Sequence, residues 1–335
     1  MIKIKNNALP INGILLLDKP INITSNLALQ KVKRLFNAKK AGHTGSLDPL
    51  ATGMLPICFG EATKFSQFLL ASDKSYRVQA KLGIETKTGD AQGEVTAIKK
   101  VVGVSASVID RMMQKFLGEI NQTPPMYSAL KFEGKPLYEY ARRGIEVERT
   151  VRRVKIFSLQ LESFDQDQDQ FTFSVKCSKG TYVRSLVEEM GRELGYGAHV
   201  SGLHRLTVSP YNASYMLSFS ELEDVMQNVG KEKLLNCLLP IESAVESFPA
   251  IKLSTHTAFY LRNGQSVRIA NVPDVSARDV SNDIFCAHAN NESGRHVSQN
   301  TSSLVRLLLA DGKFLGMGEL IPHGMVKPIR LIAER

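Results

Sequence analysis

The apolar positions of this chain follow the two-residue period of a strand in some segments and the period of a helix in others. Segments 75–83 and 171–177 alternate strictly between apolar and polar residues, which predicts two strands with one buried and one wetted face. A short apolar run at 15–17 predicts a further strand. The expected inward positions of the two alternating strands are Tyr76, Val78, Ala80, Leu82, Phe171, Phe173, Val175 and Cys177.

Other segments carry apolar residues at helical spacing and have recognisable ends. Ser105 can cap one of these helices, and Gly195 can close another. The sequence from Ser218 to Glu221 is a capping box that opens a further helix. The four predicted helices with assigned buried positions, including those that Ser105 caps and Gly195 closes, are 26–36 with Ala28, Val32, Leu35 and Phe36; 62–69 with Ala62, Phe65, Phe68 and Leu69; 105–116 with Val108, Ile109, Met112 and Phe116; and 182–194 with Val183, Leu186, Val187, Met190 and Leu194.

This arrangement of elements predicts the fold class and two domains. Half-polar strands separated by helices favour an α+β domain, 1–248, with a mostly antiparallel sheet that is wetted on one face. A doubly wound parallel sheet would show near-continuous apolar strands instead. Beyond it, short strand-like runs joined by Gly and Asp turns predict a small β domain at 249–335. Its polar segment 274–303 is expected to be a long loop or an insertion.

Composition narrows the class of partner. The 335 residues carry a net charge of +9 and a sequence pI near 9.3, which favours a polyanionic partner such as nucleic acid.

The sequence has no secretory signal or membrane-spanning run, and its four cysteines include no C-x-x-C pair. We therefore expect a cytoplasmic protein with reduced thiols. The chain contains no Walker A sequence, Rossmann fingerprint or H-E-x-x-H, so we expect neither a cofactor nor a metal.

Segment 121–156 does not continue the alternating pattern of predicted strands and helices. Between 131 and 155 it holds eight Lys or Arg against four Glu, interleaved with Tyr138 and Tyr140. Such a basic segment with aromatic residues suits an arm that closes on a nucleic-acid backbone. A solvated surface helix is the alternative, and the segment alone does not decide between them.

A glycine-rich loop at 41–53 presents a single carboxylate, Asp48, followed by Pro49. A capping Asp would open a helix immediately after it, but the residues that follow are poor helix formers. The loop therefore favours an accessible functional acid, with capping as the alternative. An ionised nucleophile in a cleft needs a cationic partner, preferably Arg. Arg184, in the first turn of a predicted helix, is the candidate, with a solvent-facing helical position as its alternative.

Five blocks of this sequence and two C-terminal segments contain distinctive motifs. The blocks are LLLDKP (15–20), GHTGSLDPLATGMLPICFGEATK (42–64), SYRVQAKLGIETKTGDAQG (75–93), TPPMYSALK (123–131) and SKGTYVRSLVEEMGRELG with AHVSGLHRL (178–206), followed by YLRNGQSVRI (260–269) and GKFLGMGEL (312–320). The five blocks, in this order, resemble the TruB family of tRNA pseudouridine-55 synthases, and the two C-terminal segments resemble the PUA-type RNA-binding barrel. The resemblance implies a pseudouridine synthase fold, a monomer without cofactor or metal, and isomerisation of uridine in the T-loop of tRNA. A fold-retaining RNA-binding or tRNA-folding chaperone and a guide-RNA-dependent relative are the alternatives.

The resemblance also implies roles for individual residues. By the family pattern, Asp48 is the nucleophile and Arg184 its ion-pair partner. Tyr76 would stack on the extruded base, with core packing as its alternative. Asn22 stands where the family usually has a glycine, and Asn tolerates the left-handed conformation. The other implied residues are Tyr182 and Leu203, which would line the uracil pocket; His43, which would fill the space that the base vacates, or be a plain hydrogen-bonding surface residue; and Lys19 and Lys64, as phosphate or structural contacts.

Overall fold

The computed structural model describes residues 8–269 and 303–333. Apart from residue 303, the predicted insertion 274–303 therefore lies outside the described residues. The strands are β1 (Gly13–Lys19), β2 (Ala41–His43), β3 (Thr52–Phe59), β4 (Lys74–Leu82), β5 (Ile84–Thr86), β6 (Val95–Ile98), β7 (Gly118–Gln122), β8 (Lys131–Phe132), β9 (Lys135–Pro136), β10 (Arg152–Asp165), β11 (Gln170–Cys177), β12 (Ala198–Val208), β13 (Ala250–Lys252), β14 (Val267–Arg268), β15 (Ser303–Leu308), β16 (Phe314–Ile321) and β17 (Met325–Leu331).

Eight strands form the main sheet in the order β1-β3-β12-β4-β11-β10-β7, with β2 also paired to β3. Among these strands, β12 runs parallel to β3 and the other pairs are antiparallel. The predicted α+β class with a mostly antiparallel mixed sheet is confirmed.

The helices provide the apolar cover of this sheet. Side chains from α1, α3, α5, α6 and α7 pack with strands β1, β3, β4 and β11 in the largest core cluster. The opposite side of β1 and β3 packs against a second cluster that includes Phe65, Phe68 and Phe248. The helices are α1 (Ser25–Leu35), α2 (Ser66–Leu70), α3 (Ala106–Gln114), α4 (Leu137–Arg142), α5 (Val183–Glu193), α6 (Phe219–Asn228), α7 (Lys231–Leu235) and α8 (Thr255–Arg262).

Local signals placed the starts of α3 and α6 correctly. The Ser105 and Ser218 side chains accept hydrogen bonds from the first turns of α3 and α6, and the capping box at Ser218 is complete. Asn22 adopts the predicted left-handed conformation, with φ of 65°. One buried position was wrong: Val108 is 38% exposed, because α3 turns Met113 toward the sheet instead.

Strands β2 and β3 were not predicted. Nearly all of β3 is buried, because it lies inside the sheet between the two core clusters, so its sequence lacks the alternation of a half-wetted strand. The apolar segment 62–69 that follows is a 3-10 helix, Gly60–Phe65, continued by α2. Its four predicted inward residues are buried.

The basic segment 121–156 is partly built into the sheet. Its ends belong to β7 and β10, which pair with each other from Gly118 to Gln122. Between these strands, β8 and β9 form a short hairpin and α4 follows. Leu137, Ala141 and Val147 are buried there, while the basic side chains of 131–143 are exposed. The part of the segment outside the main sheet is therefore 123–151.

The C-terminal strands form a second, five-stranded sheet in the order β13-β15-β16-β17-β14, and α8 packs against it through Ala258 and Leu261. The small C-terminal β unit is confirmed, while α8 was not predicted. The division at 248 and 249 stays a prediction. Among the described residues, no helix is long and apolar enough to cross a membrane.

Candidate active site

Asp48 lies in the irregular loop between β2 and β3. The Ser25 hydroxyl clamps this loop, accepting a hydrogen bond from the Leu47 amide at 2.7 Å and donating to its carbonyl at 3.0 Å. On the other side, the Pro49 carbonyl accepts a hydrogen bond from the Asn22 amide at 2.8 Å. No helix begins after Asp48, so the capping alternative is wrong. These hydrogen bonds fix the backbone of the loop, and the Asp48 carboxylate is left to pair with another side chain.

That partner is Arg184, at the start of α5. Its Nε lies 2.9 Å from Asp48 Oδ2. Its Nη1 and Nη2 donate to the carbonyls of Thr88 and Tyr127 at 2.7 and 2.8 Å. The Arg184 side chain is only 7% exposed, whereas that of Asp48 is 40% exposed. The solvent-facing alternative for Arg184 is therefore wrong, and the carboxylate remains open to a ligand.

The charge state of Asp48 reflects two opposing effects. Burial raises the pKa of Asp48 above its ordinary value, and the nearby Asp90 carboxylate adds to this. Arg184 and Lys19 lower the pKa of Asp48 and favour the ionised form. The sequence predicted the arginine but not Asp90, whose side chain is held by the Thr88 hydroxyl at 2.7 Å.

Lys19 is fully buried at the end of β1. Its ammonium donates to the carbonyls of Pro20 and Ile23 at 2.9 and 2.8 Å, and a longer contact of 3.5 Å reaches the Pro49 carbonyl. Burial lowers the pKa of Lys19 to about 8, with Asp48 opposing the shift. Of the two expected contacts, the structural one is present, and no exposed ammonium is available for a phosphate.

Tyr76 and the fully buried Arg205 face each other across the neighbouring strands β4 and β12. The guanidinium of Arg205 donates to the carbonyls of Met54 and Gly45 at 2.6 and 3.0 Å and interacts with the Tyr76 hydroxyl. Burial raises the pKa of Tyr76. The sequence analysis missed Arg205. A charged residue at an inward position of a strand is unusual, and this was the available signal.

Tyr182 and Leu203 lie beside this cluster. Tyr182 precedes α5, and its amide donates to Gln122 Oε1 at 2.7 Å while its carbonyl accepts from Gln122 Nε2 at 3.1 Å. Burial raises the pKa of the Tyr182 hydroxyl. Leu203 is half-buried on β12, opposite Val78 of β4. The structure thus brings both predicted pocket residues to the strands and helix that carry Tyr76 and Arg184.

His43 and Lys64 have different surroundings. In the described part of the chain, the buried Nδ1 of His43 has no hydrogen-bond partner. Burial lowers the pKa of His43, and the charge of Arg205 lowers it further. His43 is only partly exposed, and its role stays a prediction. Lys64 pairs with Glu61 at 2.6 Å and donates to the Leu331 carbonyl at 3.1 Å, so its contacts join the two sheets.

Within the described residues, no group of three His, Cys, Asp or Glu side chains could hold a metal ion. What the site offers is one partly exposed carboxylate close to the buried cations Arg184 and Lys19 and to two tyrosines. Such an arrangement suits nucleophilic or proton-transfer chemistry by a single acid.

The fold is that of the pseudouridine synthases. The chain is similar to a solved Cbf5–Nop10–Gar1 complex, with a TM-score of 0.67 and 25% identity, covering 96% of this chain and 84% of that one. A second structure, the Nop10–Cbf5 complex of an archaeal box H/ACA sRNP, matches with a TM-score of 0.64 at 22% identity. That match covers 97% of this chain and 86% of that one.

Sequence comparisons define the family. Family models match at residues 33–183 (TruB family pseudouridylate synthase, N-terminal domain), 184–246 (tRNA pseudouridylate synthase B C-terminal domain) and 292–332 (pseudouridine synthase II TruB, C-terminal). The tRNA pseudouridine synthase B of Coxiella burnetii is 46% identical over 97% of this chain and 96% of its own length. That of Ectopseudomonas mendocina is 45% identical over 99% of both. The chain belongs to the TruB family of pseudouridylate synthases, which are enzymes.

Proposed function

We propose that this enzyme converts uridine to pseudouridine at position 55 in the T-loop of tRNA, with Asp48 as the nucleophile. The relatives at 45–46% identity are named tRNA pseudouridine synthase B, which supports a tRNA substrate. The observation that carries the proposal is the ion pair between Asp48 and Arg184. It provides a lone, accessible carboxylate whose ionised form is favoured by a buried guanidinium.

The reaction explains why a single acid suffices. The bond between uracil N1 and ribose C1′ breaks, the base turns, and C1′ bonds to C5 instead. C5 then loses its proton and N1 gains one, so the product is an isomer and no water is consumed. A glycosidase needs a second carboxylate to activate water, whereas this reaction does not. Asp48 can act by attack on C1′, by attack on C6 or by removal of a C2′ proton.

A uridine in a folded T-loop must leave its stack before this chemistry can begin, at a cost of a few kcal/mol. In our proposal, Tyr76 stacks on the extruded base, and Tyr182 and Leu203 line the uracil pocket. His43 fills the space that the base vacates. Arg184 holds and orients Asp48.

The remaining parts of the molecule would bind the RNA around the target. In this proposal, residues 1–248 form the catalytic domain, and residues 249–335 form a PUA-like RNA-binding domain. The exposed basic side chains of 131–143 contact the phosphates of the T stem-loop, so recognition follows backbone shape more than base identity. The enzyme would act as a monomer in the cytoplasm.

Release of tritium from tRNA labelled at C5 of uridine tests the proposed chemistry. We expect release by the wild type and none by Asp48→Asn, since the amide keeps the size of the side chain but is neither nucleophile nor base. Asp110→Asn is the matched control, because Asp110 is exposed on α3, and it should react at the wild-type rate. Equal release by Asp48→Asn would refute the nucleophile. RNA binding without release by the wild type would favour the chaperone alternative.

A further inference from the structure

Arg205 is a buried cation without a carboxylate partner. It is 1% exposed, and among the described residues no Asp or Glu forms an ion pair with it. It donates hydrogen bonds to two backbone carbonyls, and its partner residue across β12 and β4 is Tyr76, with whose hydroxyl it interacts electrostatically. Its charge also lowers the pKa of Lys74 and Lys19, so other cations lie close enough to interact with it.

Stability does not explain an arginine at this position. Burying a charge is costly unless it is well paired, and an apolar side chain of similar volume often replaces a buried charge without loss of stability. The neighbouring inward side chains of β4 and β12 include Val78 and Leu203, which are apolar. The guanidinium must therefore contribute something that methionine or leucine would not.

What it contributes is a link between three segments that surround Asp48. The Gly45 carbonyl lies before Asp48 in its loop, the Met54 carbonyl follows the loop on β3, and the Tyr76 hydroxyl lies on β4. The loop comes this close only because it is glycine at both ends. Gly45 and Gly53 have φ of 80° and 94°, and a Cβ on Gly53 would collide with the Arg205 backbone.

We propose that Arg205 is a positioning residue that fixes the Tyr76 ring relative to the Asp48 loop. A planar guanidinium has several donors in a rigid fork and can bond all three segments at once, whereas a lysine ammonium on a flexible stem cannot hold the same geometry. The inference rests on the proposed function, in which the uridine is held between the Tyr76 ring and the Asp48 carboxylate.

Single-turnover tritium release with the full chain tests this inference, using Arg205→Met, Arg205→Lys, Tyr76→Phe and the double variant Arg205→Met/Tyr76→Phe. We expect Arg205→Met to react on the order of 100-fold more slowly with little change in RNA affinity, because a shift of about 1 Å at the reacting groups has such an effect. Arg205→Lys should recover only part of the rate. The double variant should be less slow than the product of the two single effects, because both changes remove the same link.

Added guanidinium ion distinguishes the removal of this link from a failure to fold. With Arg205→Ala, the free ion should enter the vacated space and raise the rate, while Arg192→Ala, at an exposed position of α5, should be unaffected by the change or by the ion. Multiplicative effects in the double variant, or an Arg205→Met rate near that of the wild type, would overturn the inference. Unfolding of every Arg205 variant would also overturn it and assign Arg205 to the scaffold. Inactive wild type would refute the proposed function itself, and with it the inference that depends on it.

Discussion

The charge of Asp48 depends on its burial and on the charged side chains around it. Its side chain is 40% exposed, yet burial by the surrounding protein is the largest influence on its pKa and raises it. Arg184 is the strongest opposing influence. Because the ionised form is the one that reacts in the proposed mechanism, activity should be lost as the pH falls through the raised pKa of Asp48.

The first prediction at this scale concerns Arg184→Gln. Removing the guanidinium removes the main influence that lowers the pKa of Asp48, so the acidic limb of the pH–rate profile should move to higher pH. At neutral pH we also expect a rate loss on the order of 100-fold, because the carboxylate loses its orientation. Tritium release measured across pH checks both effects.

Two further variants test the direction of this shift in the acidic limb. Asp90 raises the pKa of Asp48, so Asp90→Asn should move the acidic limb to lower pH. Arg192→Gln, at an exposed site on the same helix as Arg184, should leave the limb where it is. A limb that stays fixed in both Arg184→Gln and Asp90→Asn would mean that Asp48 is not the titrating group.

Sequence reasoning identified the two residues of the ion pair but missed Asp90 and Arg205. Asp48 stood out because a glycine-rich loop isolates it, and Arg184 because a carboxylate nucleophile needs a cation. Arg205 differs, since its hydrogen bonds go to the carbonyls of Gly45 and Met54, which lie far away in the chain. Every residue type has the same backbone carbonyl, so the sequence does not show which carbonyls a side chain will meet.

At the scale of elements, prediction succeeded where one face of an element meets water. β4 and β11 alternate because their outer faces are wetted, and α5 has a polar side. β3 has no wetted face, so its pattern could not be distinguished from that of other apolar runs. The ends of the basic segment 121–156 belong to β7 and β10. The sequence did not predict this, because pairing between distant strands is not encoded locally.

The exposed basic residues around α4 provide a prediction about binding. We expect Arg142→Gln/Arg143→Gln to weaken RNA binding and to flatten its salt dependence, by about 0.7–0.9 in the logarithmic slope for each phosphate that the protein no longer neutralises. The rate at saturating RNA should not change, since neither side chain reaches Asp48. Binding titrations at several salt concentrations measure the slope.

The matched control is Arg111→Gln/Lys115→Gln, which removes the same charge from exposed positions on α3 and immediately after its end. The logarithmic slope of its RNA affinity against salt concentration should remain that of the wild type, apart from the small effect of net charge. If both double variants weaken binding equally, the segment around α4 acts only through overall charge, and its role as an RNA-contacting arm is wrong.

At the scale of the whole molecule, the two sheets are joined by both apolar and polar contacts. The Phe65 and Phe314 rings lie 5.4 Å apart between centroids, and Met317 of the second sheet is buried in the same cluster. Arg306 of β15 pairs with Glu242 at 2.5 Å and donates to the Phe248 carbonyl at 2.8 Å. Because apolar side chains from both sheets share one cluster, the two should unfold together.

The last prediction tests this coupling with Phe314→Ala. Loss of a partly buried phenyl ring should destabilise the protein by about 2 kcal/mol, below the ~3–5 kcal/mol of a fully buried one. It should also separate the unfolding of the second sheet into an earlier transition, which calorimetry would resolve. Phe259→Ala is the control, because Phe259 is 61% exposed on α8 and should alter stability by less than about 0.5 kcal/mol. If each variant shows a single transition and its midpoint temperature falls by the same amount in both, the ring contact between Phe65 and Phe314 does not couple the sheets.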